Sequence, residues 1–254
     1  MAMKTYVGMI SSDWSQCLSP NGPFDAFMFH YPHIESDLNR IFRQYTGNEI
    51  SLRHATAMVA QLLPAPLTRD QMDAYLDERF EMYKGVDELI RWCDRHQVLF
   101  MINTTGFMGY FQRALAKDCL PQFAVLSAQS MLRFSNSGHD PDQMIDLFEI
   151  DDKASNTGTI AGRYHIPPAK MVLMGDSGGD GPHFKWGARM GASLIGSMTK
   201  PSLKRYCQIN GIEINRHFGH TYADHEQRSL TRERGHDFAE LINVIGPLMG
   251  IAGS

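Results

Sequence analysis

The residues with the plainest chemical capacity are Asp176 and Asp180, in the stretch Gly175-Asp176-Ser177-Gly178-Gly179-Asp180. Two carboxylates four residues apart in a glycine-rich turn are close enough to hold one hard cation through oxygen atoms. The run Met171 to Met174 just before them is apolar and uncharged, as a buried parallel strand is. Pro182 suits the first turn of a following helix, and Gly191 suits its end. The pair therefore stands at the carboxyl end of a buried strand, where an open α/β sheet places its ligands. Such a turn on its own is more often a solvated strand end than a metal site. Its meaning depends on which other groups the chain brings beside it.

Those groups sit on an alternating pattern of strands and helices. Tyr6 to Ile10 reads as a first strand, followed by Ser11, Ser12 and Asp13. Pro20, Asn21, Gly22 and Pro23 break regular structure and mark a hinge. Three helices without an intervening strand follow, at Ile34 to Tyr45 with Gly47 at its end, at Ser51 to Leu63, and from Thr68 to about Tyr83. Thr68 and Gln71 form a capping-box signature for the third. The α/β rhythm resumes with a helix over Val86 to His96 and a strand over Val98 to Ile102, which ends in Asn103, Thr104, Thr105 and Gly106. A helix at Met108 to Lys117 and a strand at Phe123 to Leu126 follow, and then a loop over Ser135 to Asp142. Lys153 lies in a polar segment. After the acidic turn come strands at Ala192 to Ile195 and Ile212 to Ile214, a helix at Pro201 to Asn210, and a closing helix at Phe238 to Met249. This order predicts a three-layer, Rossmann-like α/β core with a parallel sheet and a small helical cap inserted after the first strand. The core is expected over residues 1–20 and 84–254, and the cap over 21–83.

Asp13, Thr104, Lys153 and the pair Asp176 and Asp180 form an ordered set that resembles the haloacid dehalogenase superfamily, whose members are mostly Mg²⁺-dependent phosphatases. The turn GDSGGD matches the fourth motif of that superfamily, FMINTTG the second, and Lys153 the third. The segments SLRHATAMVAQLLP and YKGVDELIRWCDRHQVLFMINTTG look like the phosphoserine phosphatase branch. Within it they are most similar to the 2-hydroxy-3-keto-5-methylthiopentenyl-1-phosphate phosphatases. The resemblance covers about Thr5 to Ser197. It implies Mg²⁺ held by Asp13, Asp176, Asp180 and the backbone carbonyl of Ser15. It also implies that Asp13 attacks phosphorus to form an aspartyl-phosphate, while Lys153 and Thr104, or alternatively Asn103, hold the remaining oxygens. The physical logic is that a cation and a lysine neutralise the phosphate charge that would otherwise repel an attacking carboxylate.

The first motif departs from the pattern. Where the family carries a second Asp two residues after the nucleophile, this chain has Ser15, followed by Gln16 and Cys17. A serine hydroxyl cannot take over the proton transfer of a carboxylic acid, and losing general acid–base help costs about 10²–10⁴-fold in rate. A second alignment puts Ser11 at the nucleophile position and Asp13 at the acid–base position. His30, His33 and Glu35 are the first candidates for a replacement acid, and Arg40, Arg43, Arg53 and His54 for reading the rest of a substrate. His217 and His220 lack a spacing that suggests a metal. The cap has no lysine between Lys4 and Lys84, so Schiff-base chemistry from the cap is not expected.

Composition narrows the class further. With 254 residues, 43% hydrophobic and 20% charged, the chain is an ordinary globular protein. A formal charge of −4 without a basic block speaks against a nucleic-acid partner. Arg228, Arg232 and Arg234 read as a solvated face. Cys17, Cys93, Cys119 and Cys207 are isolated, as reduced cytoplasmic thiols are. No apolar run has the length of a membrane span. The expected function is that of a Mg²⁺-dependent phosphohydrolase acting on a small phosphorylated metabolite. The alternative is an impaired relative that binds a phosphorylated ligand or a protein. A homodimer stays open.

Overall fold

The computed structural model describes residues 4–46 and 49–251. Its strands are β1 (Gly8–Ser12), β2 (Val98–Phe107), β3 (Val125–Gln129), β4 (Gln143–Asp146), β5 (Met171–Gly175), β6 (Ser193–Ser197) and β7 (Arg216–Phe218). All pair in parallel in the order β4-β3-β2-β1-β5-β6-β7. Side chains alternate along each strand. Met9, Leu99, Met101, Met171 and Leu173 point to one face, and Ile10, Phe100, Ile102, Val172 and Met174 to the other. Because both faces are apolar, both must be covered. Helices α7 (Asp152–Arg163), α8 (Gly181–Met190) and α9 (Pro201–Ile209) cover the first through Ile160, Phe184 and Leu203. Helices α5 (Val86–Arg95), α6 (Met108–Ala116) and α11 (Ile242–Met249) cover the second through Leu89, Phe111 and Ile245. This is the three-layer α/β fold that the sequence predicts. A short α10 (Leu230–Glu233) precedes the last helix.

The chain leaves β1 toward β2, β3 and β4, then returns to the far side of β1 at β5. Such a reversal opens a crevice at the carboxyl ends of the central strands. Between β1 and α5 lie four helices rather than the expected three: α1 (Asp25–His30), α2 (Glu35–Thr46), α3 (Leu52–Leu62) and α4 (Arg69–Arg79). Ser51 caps α3 by accepting from the His54 N–H, and Thr68 and Gln71 form the predicted capping box on α4. Gly47, expected to end α2, lies outside the described residues.

Several elements differ from expectation. β1 begins at Gly8 and runs through Ser12, so Asp13 follows it directly. β2 continues to Phe107, with a register shift against β3 between Asn103 and Phe107. The segment carrying Lys153 is helical. Lys153, Thr157, Ile160 and Ala161 share one buried stripe, and packing on that stripe outweighs the low helix propensity of Gly158, Thr157 and Thr159. Gly158 lets the Trp186 ring approach, since an added Cβ would lie 3.3 Å from it. The last strand is Arg216–Phe218, not Ile212 to Ile214, and β4 is an additional edge strand.

The two connections into the helical insertion run side by side. Tyr83 N–H donates to Leu18 O (3.0 Å), and Ser19 Oγ donates to Glu81 O (2.6 Å). The segment after β7 clasps them. Arg228 donates from Nε and Nη2 to Glu233 (2.9 and 2.7 Å) and from Nη2 to Pro20 O (2.9 Å). The Tyr83 and Tyr222 hydroxyls also donate to Glu233, at 2.6 and 2.7 Å. Arg228, Arg232 and Arg234 are thus not a bare solvated face, because Arg232 pairs with Glu226 and Arg234 with Glu81. Glu233 is 1% exposed and is the shared acceptor of three donors. Removing one partner of a buried pair strands the other charge. We expect Glu233→Ala to lower unfolding free energy by about 3–5 kcal/mol in urea titrations followed by circular dichroism.

Candidate active site

Three carboxylates meet at the crevice. One oxygen from each of Asp13, Asp176 and Asp180 lies within 4.8 Å of the others, and all three residues are buried. Asp13 and Asp176 directly follow the central neighbours β1 and β5, and the Asp13 N–H donates to Met174 O (3.0 Å). Asp180 is turned inward by its own loop, its Oδ2 accepting from the N–H groups of Asp176 (2.9 Å) and Ser177 (3.2 Å). Gly175 makes room for it, since a Cβ there would stand 2.5 Å from Asp180 Cγ.

Two lysines answer this negative charge. Lys153, 2% exposed, donates to Asp180 Oδ1 (2.6 Å) and lies 3.3 Å from Asp13 Oδ1. Lys200 pairs with Asp176 Oδ2, donates to Gln16 Oε1 (2.5 Å), and sends its backbone N–H to Asp176 O (2.8 Å). Burial alone would lower the Lys153 pKa, but Asp13 and Asp180 raise it well above the ordinary value. Burial also works against an ionised Asp180, yet Lys153 and the turn N–H groups hold it below the usual carboxylate range. Burial pushes Asp13 up, opposed by Lys153. It pushes Asp176 up to about 7 despite Lys200.

Asp13, Ser15, Lys153, Asp176 and Asp180 all line one cavity of about 480 Å³. The other candidates separate cleanly. Thr104 is buried, and its Oγ1 accepts from the Gly106 N–H (3.2 Å). Thr105, not Thr104, reaches the cavity wall, in the stretch where β2 shifts register against β3. Asn103 faces away from the cavity. Its Nδ2 donates to Lys153 O (2.9 Å), Thr157 Oγ1 (3.0 Å) and Ser11 Oγ (3.2 Å), so it is a support for Lys153 rather than a wall residue. Ser11 belongs to the same buried network through Thr157. His183 joins that network and is held neutral, its pKa lowered to about 3 by burial and by Lys153. Of the two alignments for the first motif, the geometry brings Asp13 to the cluster and leaves Ser11 behind it.

Of the insertion residues, Phe42, Arg43 and Tyr45 line the cavity, whereas His30, His33, Glu35, Arg40, Arg53 and His54 do not. His30 bonds Gln71 O, Arg40 pairs with Asp37, and Arg53 pairs with Glu149. His217 is held by Thr199, and His220 by Glu226. The sequence reading missed Lys200, Gln16 and Tyr45. Lys200 sits beyond the last family motif, and Tyr45 shows only as one apolar position of an amphipathic helix.

No protein-family model matches the sequence, and no curated protein matches it by sequence. Solved structures do match by shape. A phosphoserine phosphatase with bound substrate superposes with a TM-score of 0.65 at 16% identity, covering 96% of this chain and 100% of that one. The fold is that of phosphoserine phosphatase. A phospho-aspartyl intermediate analogue of phosphoserine phosphatase gives 0.64 at 16% identity over 95% of this chain and 100% of that one. A HAD family hydrolase from Salmonella enterica serovar Typhi gives 0.64 at 14% identity, over 95% and 72%.

Within this fold the donor set suits a hard divalent cation. It offers carboxylate oxygens, and Asp176 Oδ2 is buried, takes no well-directed hydrogen bond, and faces the Lys200 ammonium alone as an ion pair. In protein without metal, Asp176 titrates near 7 when folded and near its ordinary 3.8 when unfolded. The folded state then binds the extra proton between those values, so stability declines as pH rises through that window. We expect the melting temperature of metal-stripped protein to fall from about pH 5 to about pH 8. A divalent cation should restore it more strongly at the higher pH, as calorimetry will read.

Proposed function

We propose that the chain is a Mg²⁺-dependent phosphohydrolase of the haloacid dehalogenase type, acting on a small phosphorylated metabolite through an aspartyl-phosphate on Asp13. The observation that carries the reading is the buried triad Asp13, Asp176 and Asp180 with Lys153 wedged among it, on the wall of one cavity. The shared fold with a phospho-aspartyl analogue of phosphoserine phosphatase supports it. Residues 21–83 act as a cap over a core of 1–20 and 84–254. The four cysteines carry no disulfide, which suits a cytoplasmic protein.

Asp13, Asp176, Asp180 and the Ser15 carbonyl would hold the cation, which when bound neutralises phosphate charge and orients the ester. Asp13 attacks phosphorus as the ester oxygen departs. The Asp13 N–H bond to Met174 O and the Trp14 N–H bond to Asp13 Oδ1 (2.8 Å) fix the carboxylate for that attack. Lys153 compensates charge as it spreads over the transferring group. Its own geometry is fixed by Asp180 and by the Asn103 bond to its carbonyl. Thr105, on the cavity wall, is the hydroxyl at hand for phosphate oxygens, with Thr104 beside it on β2.

Purified protein with Mg²⁺ should release phosphate from at least one member of a broad phosphate-monoester panel, and fluoroberyllate should raise its melting temperature. Asp13→Asn should cut turnover by about 10³-fold or more and remove any hydroxylamine-labile phosphate adduct. Absence of turnover across the panel in the wild type, with no change in Asp13→Asn, would falsify the reading. A second reading, an impaired relative that only binds a phosphorylated ligand or a protein, is favoured by Ser15. In that case Ser15→Asp should raise turnover by about 10²-fold or more.

A further inference from the structure

Phosphate transfer to Asp13 leaves an alkoxide that needs a proton, and Ser15 has no acid to give. The cavity wall is short of other donors. Lys153 is committed to Asp13 and Asp180, Lys200 to Asp176 and Gln16, and Arg228 to Glu233. Arginine does not deprotonate, and serine and threonine hydroxyls are too weakly acidic. With Asp176 assigned to the cation, the remaining O–H acid on this wall is Tyr45.

Tyr45 sits in the last turn of α2 and is only 9% exposed. It shares the cavity wall with Thr105, Lys153, Asp13 and Asp180. Its hydroxyl overhangs the acidic turn, where a Cβ placed on Gly179 would stand 3.7 Å away. The phenol therefore comes down from the helical insertion onto the carboxylate cluster, on the cavity side that a substrate must share.

We propose that Tyr45 donates the proton to the departing alcohol, in place of the carboxylic acid that Ser15 lacks. This inference rests on the phosphohydrolase reading. In the first step the Asp13 carboxylate oxygen forms a bond to phosphorus, the P–O bond of the ester breaks, and its oxygen takes the Tyr45 phenol proton. In the second, the oxygen of a water bonds to phosphorus, the Asp13 Oδ–P bond breaks to return the Asp13 carboxylate, and the water gives a proton to the Tyr45 phenolate, so ester and water give alcohol and phosphate. A phenol is protonated at neutral pH by its ordinary acidity. The Lys153 ammonium on the same wall favours the phenolate once it forms. Delivery by the insertion ties proton transfer to its seating over the core.

The test is Tyr45→Phe, read as kcat/KM across phosphate monoesters of graded leaving-group acidity. This ratio reports the step that releases alcohol and is blind to the later attack by water. An alkyl phosphate, whose alkoxide needs the proton, should lose about 10²–10³-fold. An aryl phosphate such as 4-nitrophenyl phosphate leaves readily as the anion and should lose less than about tenfold. A merely structural role for Tyr45 would lower both esters alike. Equal losses on the two esters, or no loss on the alkyl ester, overturn the assignment while leaving the phosphohydrolase reading intact. A wild type that turns over neither ester overturns both. Thermal denaturation of the variant checks that the fold is retained.

Discussion

Three carboxylates within 4.8 Å of one another, all buried, would repel strongly in a medium of low polarity. The Lys153 ammonium, bonded to Asp180 and close to Asp13, makes that arrangement tenable, and much of the fold serves to hold it there. Helix α7 presents Lys153 in its first turn. Behind it, Asn103 bonds the Lys153 carbonyl and Thr157 one turn further on, and Thr157 in turn meets Ser11 and a neutral His183. These groups come from β1, β2, α7 and α8. Four elements distant in sequence are thus pinned around one charge. A protonated His183 would add a second cation behind Lys153, and burial prevents it.

The charge count also explains Lys200. With one lysine the triad would keep two uncompensated negative charges, and Asp176 is the one farthest from Lys153's hydrogen bonds. Lys200 meets it with both its ammonium and its backbone N–H. Its side chain is 26% exposed, against 2% for Lys153. Lys153 is thus the enclosed counter-ion of the cluster, and Lys200 the one at its rim.

Elements carried by strong local patterns were legible in the sequence. The apolar run before Gly175, the capping box at Thr68 and the all-helical stretch after β1 each follow from periodicity and cap chemistry. The ordered set Asp13, Thr104, Lys153, Asp176 and Asp180 was legible through its resemblance to a known motif order, not through periodicity, and the fold brings Asp13, Lys153, Asp176 and Asp180 together. What stayed hidden depends on tertiary context. The stripe of Lys153, Thr157, Ile160 and Ala161 becomes helix through burial against α8, although Gly158 and two threonines speak against it. Thr105 rather than Thr104 meets the cavity within the stretch where β2 shifts register, between Asn103 and Phe107, and no spacing rule encodes such an irregularity. β7 falls at Arg216–Phe218 because Phe218 is buried beside Phe238, while the more apolar Ile212 and Ile214 pack outside the sheet. Arg228 read as solvated because its partner Glu233 lies on a segment without periodicity.

Ser15 and Tyr45 are best understood together. A carboxylic acid at position 15 would be a fourth acidic group beside a triad whose charge two lysines already only partly offset. Moving the proton donor to the helical insertion, and making it a phenol, removes that electrostatic burden. It also makes the donor's position depend on how the insertion is seated. That seating is set by paired charges at both ends. Asp73 and Asp77 of α4 hold Arg113 and Lys117 at α6, and the Arg228–Glu233 clasp grips Pro20 and Tyr83 where the connections enter. Arg228 lines the cavity as well. The C-terminal segment thereby links the wall of the site to the two connections of the helical insertion that carries Tyr45.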